Sequence, residues 1–508
     1  MNQQEEVELI LAILGIIVVY IFGKLWWKTM NLPPGPFPLP LAGNFPDLGY
    51  KMWRGRAMVE ILRGWQKKYG NVFTLWIGPM PTVNLCSFDT ATEAMIKKGI
   101  HFVDRPKLFL FDVVRKGRGI LVSNGVQWTE QRRFALHALK NMGMGKNLME
   151  ERILMEIDYR KQYLTSEIDR HGWELLVNPR ALFELTVGNI INRILFSERF
   201  TQENEEEFFR LKYKIDENME KASIFDFFID EWNVKYPPFK QRLERMMPSS
   251  MAMLDFVKER IRERKAEIAL GKHPLKGEDF VDAFLLQMEH PDADKEIFNE
   301  EALAINLMDL WFAGQETTTT VLYWAFALLL LHEDVLHKVQ EELDEVTGKD
   351  RTQHLTMADR LRTPYFNATV TEILRIACIF PLNLWRTAAD DVQVAGYNIK
   401  KGTAVTAQLS LIMTDPKFFK QADKFIPERF LGEDGRKLEA MTVAFGMGKR
   451  QCLGESLARA EIYLILGNLL LSYDIAKDPE NPPSMKAGRE IGGFRRAQSY
   501  NIVIRRRK

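Results

Sequence analysis

A glycine-rich segment around one cysteine carries the strongest chemical signal in this sequence of 508 residues. It reads FGMGKRQCLG from Phe445 to Gly454, and its glycines permit tight backbone turns around the thiol of Cys452. At the start of a helix, amide N–H groups and the helix dipole stabilise a thiolate. Cys452 is therefore a candidate metal ligand or nucleophile, although free cysteines are most often small buried residues. No histidine lies nearby in the sequence to act as its base.

The other two cysteines, Cys86 and Cys378, lack the paired spacing of a zinc site. Three cysteines also do not make a disulfide framework, and their low number suits a reducing compartment.

A second polar feature lies inside the long apolar stretch Glu301–Leu331. Asp309, Gln315, Glu316 and four consecutive threonines, 317–320, interrupt its middle. One aspartate at a membrane midplane costs about 2.5–3.5 kcal/mol, so the stretch is predicted to be a helix through a soluble core. Because buried polar groups are costly unless they are paired or used, this notch is a candidate functional site.

The amino-terminal segment is predicted to anchor the chain in a membrane. Residues Leu9–Gly23 carry no charge, and the apolar run resumes after Lys24 to reach Trp27. About nineteen residues at ~1.5 Å each reach roughly 28 Å, close to the thickness of a hydrocarbon core. The acidic start and the Trp-Trp-Lys end do not resemble a cleaved signal peptide. Basic residues after the span place the body in the cytosol.

The rest of the chain predicts a mainly α fold, a large helical domain with a smaller β-rich portion. Hydrophobic residues make up 46% and charged residues 27%, which is typical of a folded protein, and a net charge of +1 gives no indication of nucleic-acid binding. Helical patterns dominate between Thr90 and Arg375, while a hairpin is predicted at Val72–Leu85 and short strands after Pro381. A last long helix is predicted at about Gly454–Leu471. We expect a membrane anchor at 1–28, a stiff proline-rich hinge at 29–50, and one catalytic domain at 51–508.

The cysteine segment resembles the haem-binding loop of the cytochrome P-450 family, F-x-x-G-x-R-x-C-x-G, at all five fixed positions. Four shorter motifs of that family follow in the expected order: W-x-x-x-R at Trp128–Arg132, A-G-x-[DE]-T at Ala313–Thr317, E-x-x-R at Glu372–Arg375 and P-E-R-F at Pro427–Phe430. Each short motif is weak alone, and E-x-x-R is an ordinary helical pair. Their joint order makes the chain similar to animal microsomal members that metabolise drugs and lipids.

The resemblance implies a haem b cofactor whose iron takes Cys452 as its axial thiolate ligand. The residues expected to contact the haem are Arg450, Arg132, Trp128, Arg386, Phe445 and Lys116. From the sequence alone, the alternative for Arg386 is a charge on a surface loop.

The resemblance also assigns catalytic and structural roles. Thr317 and Glu316 would deliver protons to iron-bound dioxygen, and Gly314 would let the helix bend so that O2 fits beside it. Glu372, Arg375 and Arg429 would form a buried network that supports the core behind the haem.

The implied reaction is a monooxygenation, which inserts one atom of O2 into a lipophilic xenobiotic, fatty acid or steroid-like molecule. No dinucleotide-binding fingerprint is present, so electrons are expected from NADPH through a separate reductase, with cytochrome b5 as a further donor. Arg133, Lys140, Lys146 and Lys449 form either a basic face for that partner or a solvated surface. The expected location is the endoplasmic reticulum membrane. Substrate contacts are expected in 108–121, 307–313, 379–384, at Phe225, Phe227 and Phe228, and at Phe494.

Three other functions are compatible with the residues. A haem-thiolate isomerase or dehydratase would act on peroxides without a reductase, but the pair Glu316-Thr317 favours the monooxygenase. A haem-binding protein without catalysis, or a structural membrane protein without any cofactor, are the remaining alternatives.

Overall fold

A computed structural model describes residues 3–143, 147–221, 226, 228–487 and 494–507. Its helices, in chain order, are α1 (Gln3–Met30), α2 (Phe45–Trp53), α3 (Met58–Tyr69), α4 (Phe88–Thr92), α5 (Phe109–Arg115), α6 (Gly125–Asn141), α7 (Asn147–His171), α8 (Pro179–Phe196), α9 (Glu205–Lys221), α10 (Phe239–Ala269), α11 (Phe280–Glu289), α12 (Glu300–Leu331), α13 (Glu333–Thr347), α14 (Pro364–Ala377), α15 (Leu409–Ile412), α16 (Gly435–Met441) and α17 (Glu455–Ser472). The strands are β1 (Val72–Ile77), β2 (Met80–Leu85), β3 (Glu174–Val177), β4 (Arg386–Thr387), β5 (Val392–Val394), β6 (Tyr397–Ile399), β7 (Ala404–Ala407), β8 (Tyr473–Lys477) and β9 (Ile502–Arg506). The predicted mainly α fold with a small β-rich portion is confirmed.

The strands form three small sheets with the orders β1-β2-β7-β4, β3-β9-β8 and β5-β6. The predicted hairpin is confirmed, because β1 and β2 pair antiparallel with Val72 opposite Leu85. Strand β7 then joins β2 in parallel, with Ala404 opposite Thr82. The last long helix is also confirmed, at α17.

The chain divides into two compact units. The smaller comprises Met1–Pro106, Pro381–Ile412 and Gly446–Gln451, and contains the four-stranded sheet. The larger comprises Lys107–Phe380, Met413–Phe445 and Cys452–Lys508, and contains α12 and α17. The division of the sequence at residues 28 and 50 stays a prediction.

Helix α12 passes through the core of the larger unit. Its Trp311 and Trp324 are fully buried, as are Leu322, Leu328 and Leu329. A helix that is apolar on all sides is stable in water only when protein surrounds it. The prediction that this stretch is a core helix, and not a second membrane span, is therefore confirmed.

Helix α1 differs from α12 because its described side chains are not buried. Its segment Leu11–Met30 is 20 residues long and 0% buried, and among the described helices it is long and apolar enough to cross a membrane alone. The proline-rich segment that follows is docked on β1: Thr74 donates from its hydroxyl to the carbonyl of Pro33 (2.8 Å) and from its N–H to that of Pro34 (2.9 Å). A Cβ at Gly35 would lie 2.0 Å from the Thr74 carbonyl oxygen, so the close approach requires glycine.

Candidate functional site

The cysteine loop is shaped by glycines and by one backbone hydrogen bond. Gly448 has a φ of +71°, and a Cβ there would lie 1.9 Å from the carbonyl oxygen of Met95 in the smaller unit. In the larger unit, the Cys452 N–H donates to the Phe445 carbonyl oxygen (2.9 Å), and α17 begins three residues later at Glu455. This geometry leaves the Cys452 side chain exposed.

The electrostatic surroundings of Cys452 fit a metal ligand better than a nucleophile. Burial among protein atoms raises the pKa of the thiol, although one face is open, while the Gly454 N–H and the Arg132 guanidinium lower it. A thiol with a raised pKa is a weak nucleophile, whereas a coordinated metal ion deprotonates a thiol outright. Cys86 and Cys378 are both buried, so Cys452 is the accessible thiol of the three.

Two more predicted haem contacts lie on α6 of the larger unit. The guanidinium carbon of Arg132 lies 5.7 Å from the centre of the Trp128 ring, and Trp128 is buried. Desolvation lowers the pKa of Arg132, and Cys452 acts in the opposite direction. The structure therefore brings Arg132, Trp128 and Cys452 into one electrostatic environment.

In the smaller unit, Arg386 and Arg450 are both buried. Arg386 is 2% exposed and donates from Nη2 to the Met447 carbonyl oxygen (2.8 Å), which excludes the interpretation as a surface charge. Arg450 is 7% exposed and donates from Nε to the Val103 carbonyl oxygen (2.7 Å). A guanidinium forms strong, charge-assisted hydrogen bonds with anionic groups, so these side chains suit a group such as a propionate.

Phe445 and Lys116 occupy different environments. Phe445 is half-buried, and the guanidinium carbon of Arg459 lies 4.9 Å from its ring centre. Lys116 ends α5 with a φ of +50° and an exposed side chain. The role of Lys116 as a haem contact stays a prediction.

The predicted support network lies together in the larger unit. Glu372 and Arg375 are both fully buried and form two hydrogen bonds, Nε to Oε2 (2.7 Å) and Nη2 to Oε1 (2.8 Å). Arg429 adds an ion pair to Glu372 (3.1 Å), and the Ile426 N–H donates to the same carboxylate (2.9 Å). Arg375 also donates to the carbonyl oxygens of Met413 (3.1 Å) and of two further residues, Ala422 and Lys424.

The polar notch of α12 holds the three predicted catalytic residues. Thr317 is half-buried and donates from Oγ1 to the Ala313 carbonyl oxygen (2.6 Å). Gly314 lets α12 approach α8, because a Cβ there would lie 2.5 Å from Cδ1 of Ile191. Glu316 is 2% exposed and forms ion pairs with Lys212 and Arg496.

Sequence analysis missed the partners of these carboxylates. Asp309 accepts from Arg115 Nε (2.8 Å) and from the Leu121 N–H (3.0 Å), which fixes the predicted substrate loop on α12.

The burial of Lys212 could have been predicted from the sequence. Lys212 lies in an apolar helical stripe with the buried residues Phe208, Leu211 and Ile215, at the spacing of a core-facing surface.

The predicted substrate-contact residues are partly described. The rings of Phe380 and Phe494 meet edge to face with centres 4.9 Å apart in the larger unit. Phe228 is half-buried, whereas Phe225 and Phe227 lie outside the described residues.

The residues around Cys452 fit a haem group and do not fit a bare metal ion. Within the described residues, no group of three or more His, Cys, Asp or Glu side chains could hold a metal ion. A single accessible thiol that shares its electrostatic environment with the Arg132 guanidinium instead matches a macrocycle that carries its own nitrogen ligands and anionic side chains.

Comparison with known proteins also indicates a haem site. Residues 33–503 match the family model described as cytochrome P450. The chain therefore belongs to the cytochrome P450 family, and it is a haem-iron monooxygenase, an oxidoreductase acting on small molecules with electrons from redox partners.

Similar proteins come from a nematode and from rodents. The probable cytochrome P450 cyp-35D1 of Caenorhabditis elegans is 37% identical over 482 residues, which cover 93% of this chain and 95% of that protein. Cytochrome P450 2B19 of Mus musculus is 34% identical over 480 residues, covering 93% and 94%. Cytochrome P450 2G1 of Rattus norvegicus is 33% identical over 490 residues, covering 95% and 94%. These relatives and the exposed apolar helix α1 together indicate anchoring in the endoplasmic reticulum membrane.

Proposed function

We propose that this protein oxidises lipophilic small molecules with O2 and with electrons that a reductase takes from NADPH, its catalytic body facing the cytosol. The observation that carries the proposal is the exposed thiol of Cys452, set in a glycine-shaped loop beside Arg132. The acidic start of the chain and the basic residues at the end of α1, Lys24 and Lys28, support the orientation.

Cys452 would hold the haem iron as its axial ligand, with Phe445 beside it. Arg450, Arg386 and Arg132 would bind the propionates, and Trp128 supports Arg132 through its ring face. Lys116 stays a predicted propionate contact. When bound, haem supplies the activation of O2 and the oxidation of the substrate.

Proton transfer is assigned to the notch of α12. The Thr317 hydroxyl donates to Ala313 and keeps lone pairs with which it accepts a hydrogen bond from a proton donor. Glu316, the residue before Thr317, is the nearest acid in the sequence and is proposed to supply the proton. Gly314 has no side chain, so α12 packs closely against Ile191 of α8. Glu372, Arg375 and Arg429 would hold the fold without touching the reacting atoms.

The substrate is expected to be apolar. Leu310 and Phe312 on α12 are half-buried, Ala313 is exposed, and Phe380 and Phe494 form an aromatic pair. Apolar side chains with few polar groups bind lipophilic ligands by removing their surface from water.

An acidic reductase, or cytochrome b5, would dock through exposed basic side chains. Lys140 and Lys449 are exposed, and Arg133 is exposed but pairs with Glu130. The fourth predicted residue, Lys146, lies outside the described residues. Such charges steer association and make its rate sensitive to ionic strength.

The test is turnover of the purified protein in vesicles with an NADPH-dependent reductase and a panel of lipophilic substrates. We expect O2 uptake, NADPH oxidation and hydroxylated product to depend on one another. Product formed from organic peroxides without reductase, together with no NADPH-dependent product, would contradict the proposal. Bound haem with no oxidation of any substrate would contradict it as well.

A further inference from the structure

Six charged side chains, three of them buried and three partly exposed, form a cluster in the larger unit at the place where α8, α9 and α12 meet. We call it the Glu316 cluster; its members are Arg180, Glu184, Lys212, Asp216, Glu316 and Arg496. Three acids face three bases, so the cluster is electrically balanced.

Lys212 lies at the centre of the cluster and is 2% exposed. Its Nζ pairs with Glu316 Oε1, lies 2.7 Å from Asp216 Oδ1 and lies 3.2 Å from Glu184 Oε1. The ammonium group donates a hydrogen bond to Asp216, and it forms ion pairs with all three carboxylates. Burial alone would lower the pKa of Lys212, but the surrounding carboxylates hold it above its ordinary value.

Arg496 supplies the second cation to Glu316. Its Nη2 lies 2.8 Å from Glu316 Oε2 and 2.9 Å from Asp216 Oδ1. Each carboxylate oxygen of Glu316 therefore has its own cation, one from α9 and one from the chain near the carboxyl terminus. Two points of attachment fix both the position and the rotation of a carboxylate.

Stability does not explain why this cluster exists. Burying the charges of Glu184, Lys212 and Glu316 is costly, and well-packed apolar residues in place of a buried ion pair are often as stable or more stable. The cluster surrounds Glu316, the acid that precedes Thr317 on α12. A side chain that transfers protons has to be held in one geometry, and this requirement gives the cluster a purpose.

We propose that Lys212 and Arg496 are positioning residues that hold the carboxylate of Glu316, the residue before Thr317 on α12, in one position and orientation. This inference rests on the role proposed for Glu316 in proton transfer. Lys212 acts through Glu316 and not on the substrate, so the loss of Lys212 reproduces the loss of Glu316.

The first test reads the carboxylate directly and needs no turnover. Infrared difference spectra between the wild type and Glu316→Gln isolate the carboxylate stretching band of Glu316. Because Lys212→Met alone leaves three acids with two bases, the test variant is Lys212→Met/Glu184→Gln, which keeps the cluster balanced. We expect the Glu316 band to move in this variant and to stay in place in two controls, Glu184→Gln alone and Lys214→Met, which replaces an exposed lysine of α9.

The second test measures product formed per NADPH with a reductase. A misplaced catalytic group costs on the order of tenfold to a hundredfold in rate, so we expect a loss of that size in Lys212→Met/Glu184→Gln. Adding Glu316→Gln to this variant should cause no further loss, and Lys212→Arg should restore part of the coupling.

The two tests separate failure of the inference from failure of the proposed function. An unmoved Glu316 band in Lys212→Met/Glu184→Gln would overturn the inference, whatever the activity. Additive losses from Lys212→Met/Glu184→Gln and Glu316→Gln would overturn it as well. A wild type that oxidises no substrate with NADPH would instead overturn the proposed function, and the infrared result would still decide whether Lys212 positions Glu316.

Discussion

Replacement of Glu372 by alanine tests the buried support network. The carboxylate is fully buried and accepts hydrogen bonds from Arg375 (2.7 and 2.8 Å), Arg429 (3.1 Å) and the Ile426 N–H (2.9 Å). Removing one partner of a buried ion pair costs about 3–5 kcal/mol, because the other charge stays buried without compensation. Two guanidiniums lose their counter-charge here, so we expect the upper part of that range. A loss of about 4–5 kcal/mol lowers the folded-to-unfolded ratio by roughly a thousandfold or more.

The assay is haem content and thermal unfolding of Glu372→Ala purified beside a matched control. Glu428→Ala is that control, since its ion pair with Lys338 (2.8 Å) lies nearby with side chains that are 45% and 50% exposed. Exposed ion pairs contribute little to stability, so the control should keep its haem and its unfolding temperature. A Glu372→Ala protein that is as stable as the control and fully loaded with haem would refute the reasoning.

Three further predictions follow from single residues. Thr317→Ala should lower product per NADPH by about tenfold or more and release hydrogen peroxide, because the notch loses its hydroxyl; unchanged coupling would count against the role of Thr317. Glu461 is buried with the Thr318 hydroxyl as its donor (3.0 Å), and burial raises its pKa to about 8 from 4.5. It is protonated when folded and ionised when unfolded between those values, so stability should be full below about pH 4.5 and fall by up to ~1.4 kcal/mol per pH unit until about pH 8. Glu461→Gln should flatten this fall in urea titrations, and an identical slope would contradict the assignment. Gly448→Ala should lower haem occupancy, because its Cβ meets the Met95 carbonyl at a positive φ, whereas Gly432→Ala, with open space around it, should not; equal occupancy would contradict the close approach.

Local patterns predicted much of the fold and the centre of the site. The hairpin, the core helix α12 and the loop of Cys452 were predictable, because each depends on residues that lie close together in the sequence. Contacts between distant segments were not. The partners Glu316 and Arg496 are 180 residues apart, and no local pattern pairs them.

The proline-rich segment shows the same limit. Its prolines correctly exclude helix and strand at residues 33–38, but its docking on β1 depends on Thr74, which lies 41 residues after Pro33. Lys212 is an intermediate case. Its place in an apolar stripe predicts that it is buried, but it does not predict which carboxylates surround it.

The most direct test of the central claim is the absorption spectrum of the reduced, detergent-solubilised protein with and without carbon monoxide. Thiolate ligation through Cys452 predicts a strongly red-shifted Soret band in the carbonyl complex. The band should be lost in Cys452→Ser and kept in Cys378→Ser, which replaces a buried cysteine. A protein without haem, an unshifted band of the histidine type, or a red-shifted band that persists in Cys452→Ser would contradict Cys452 as the iron ligand.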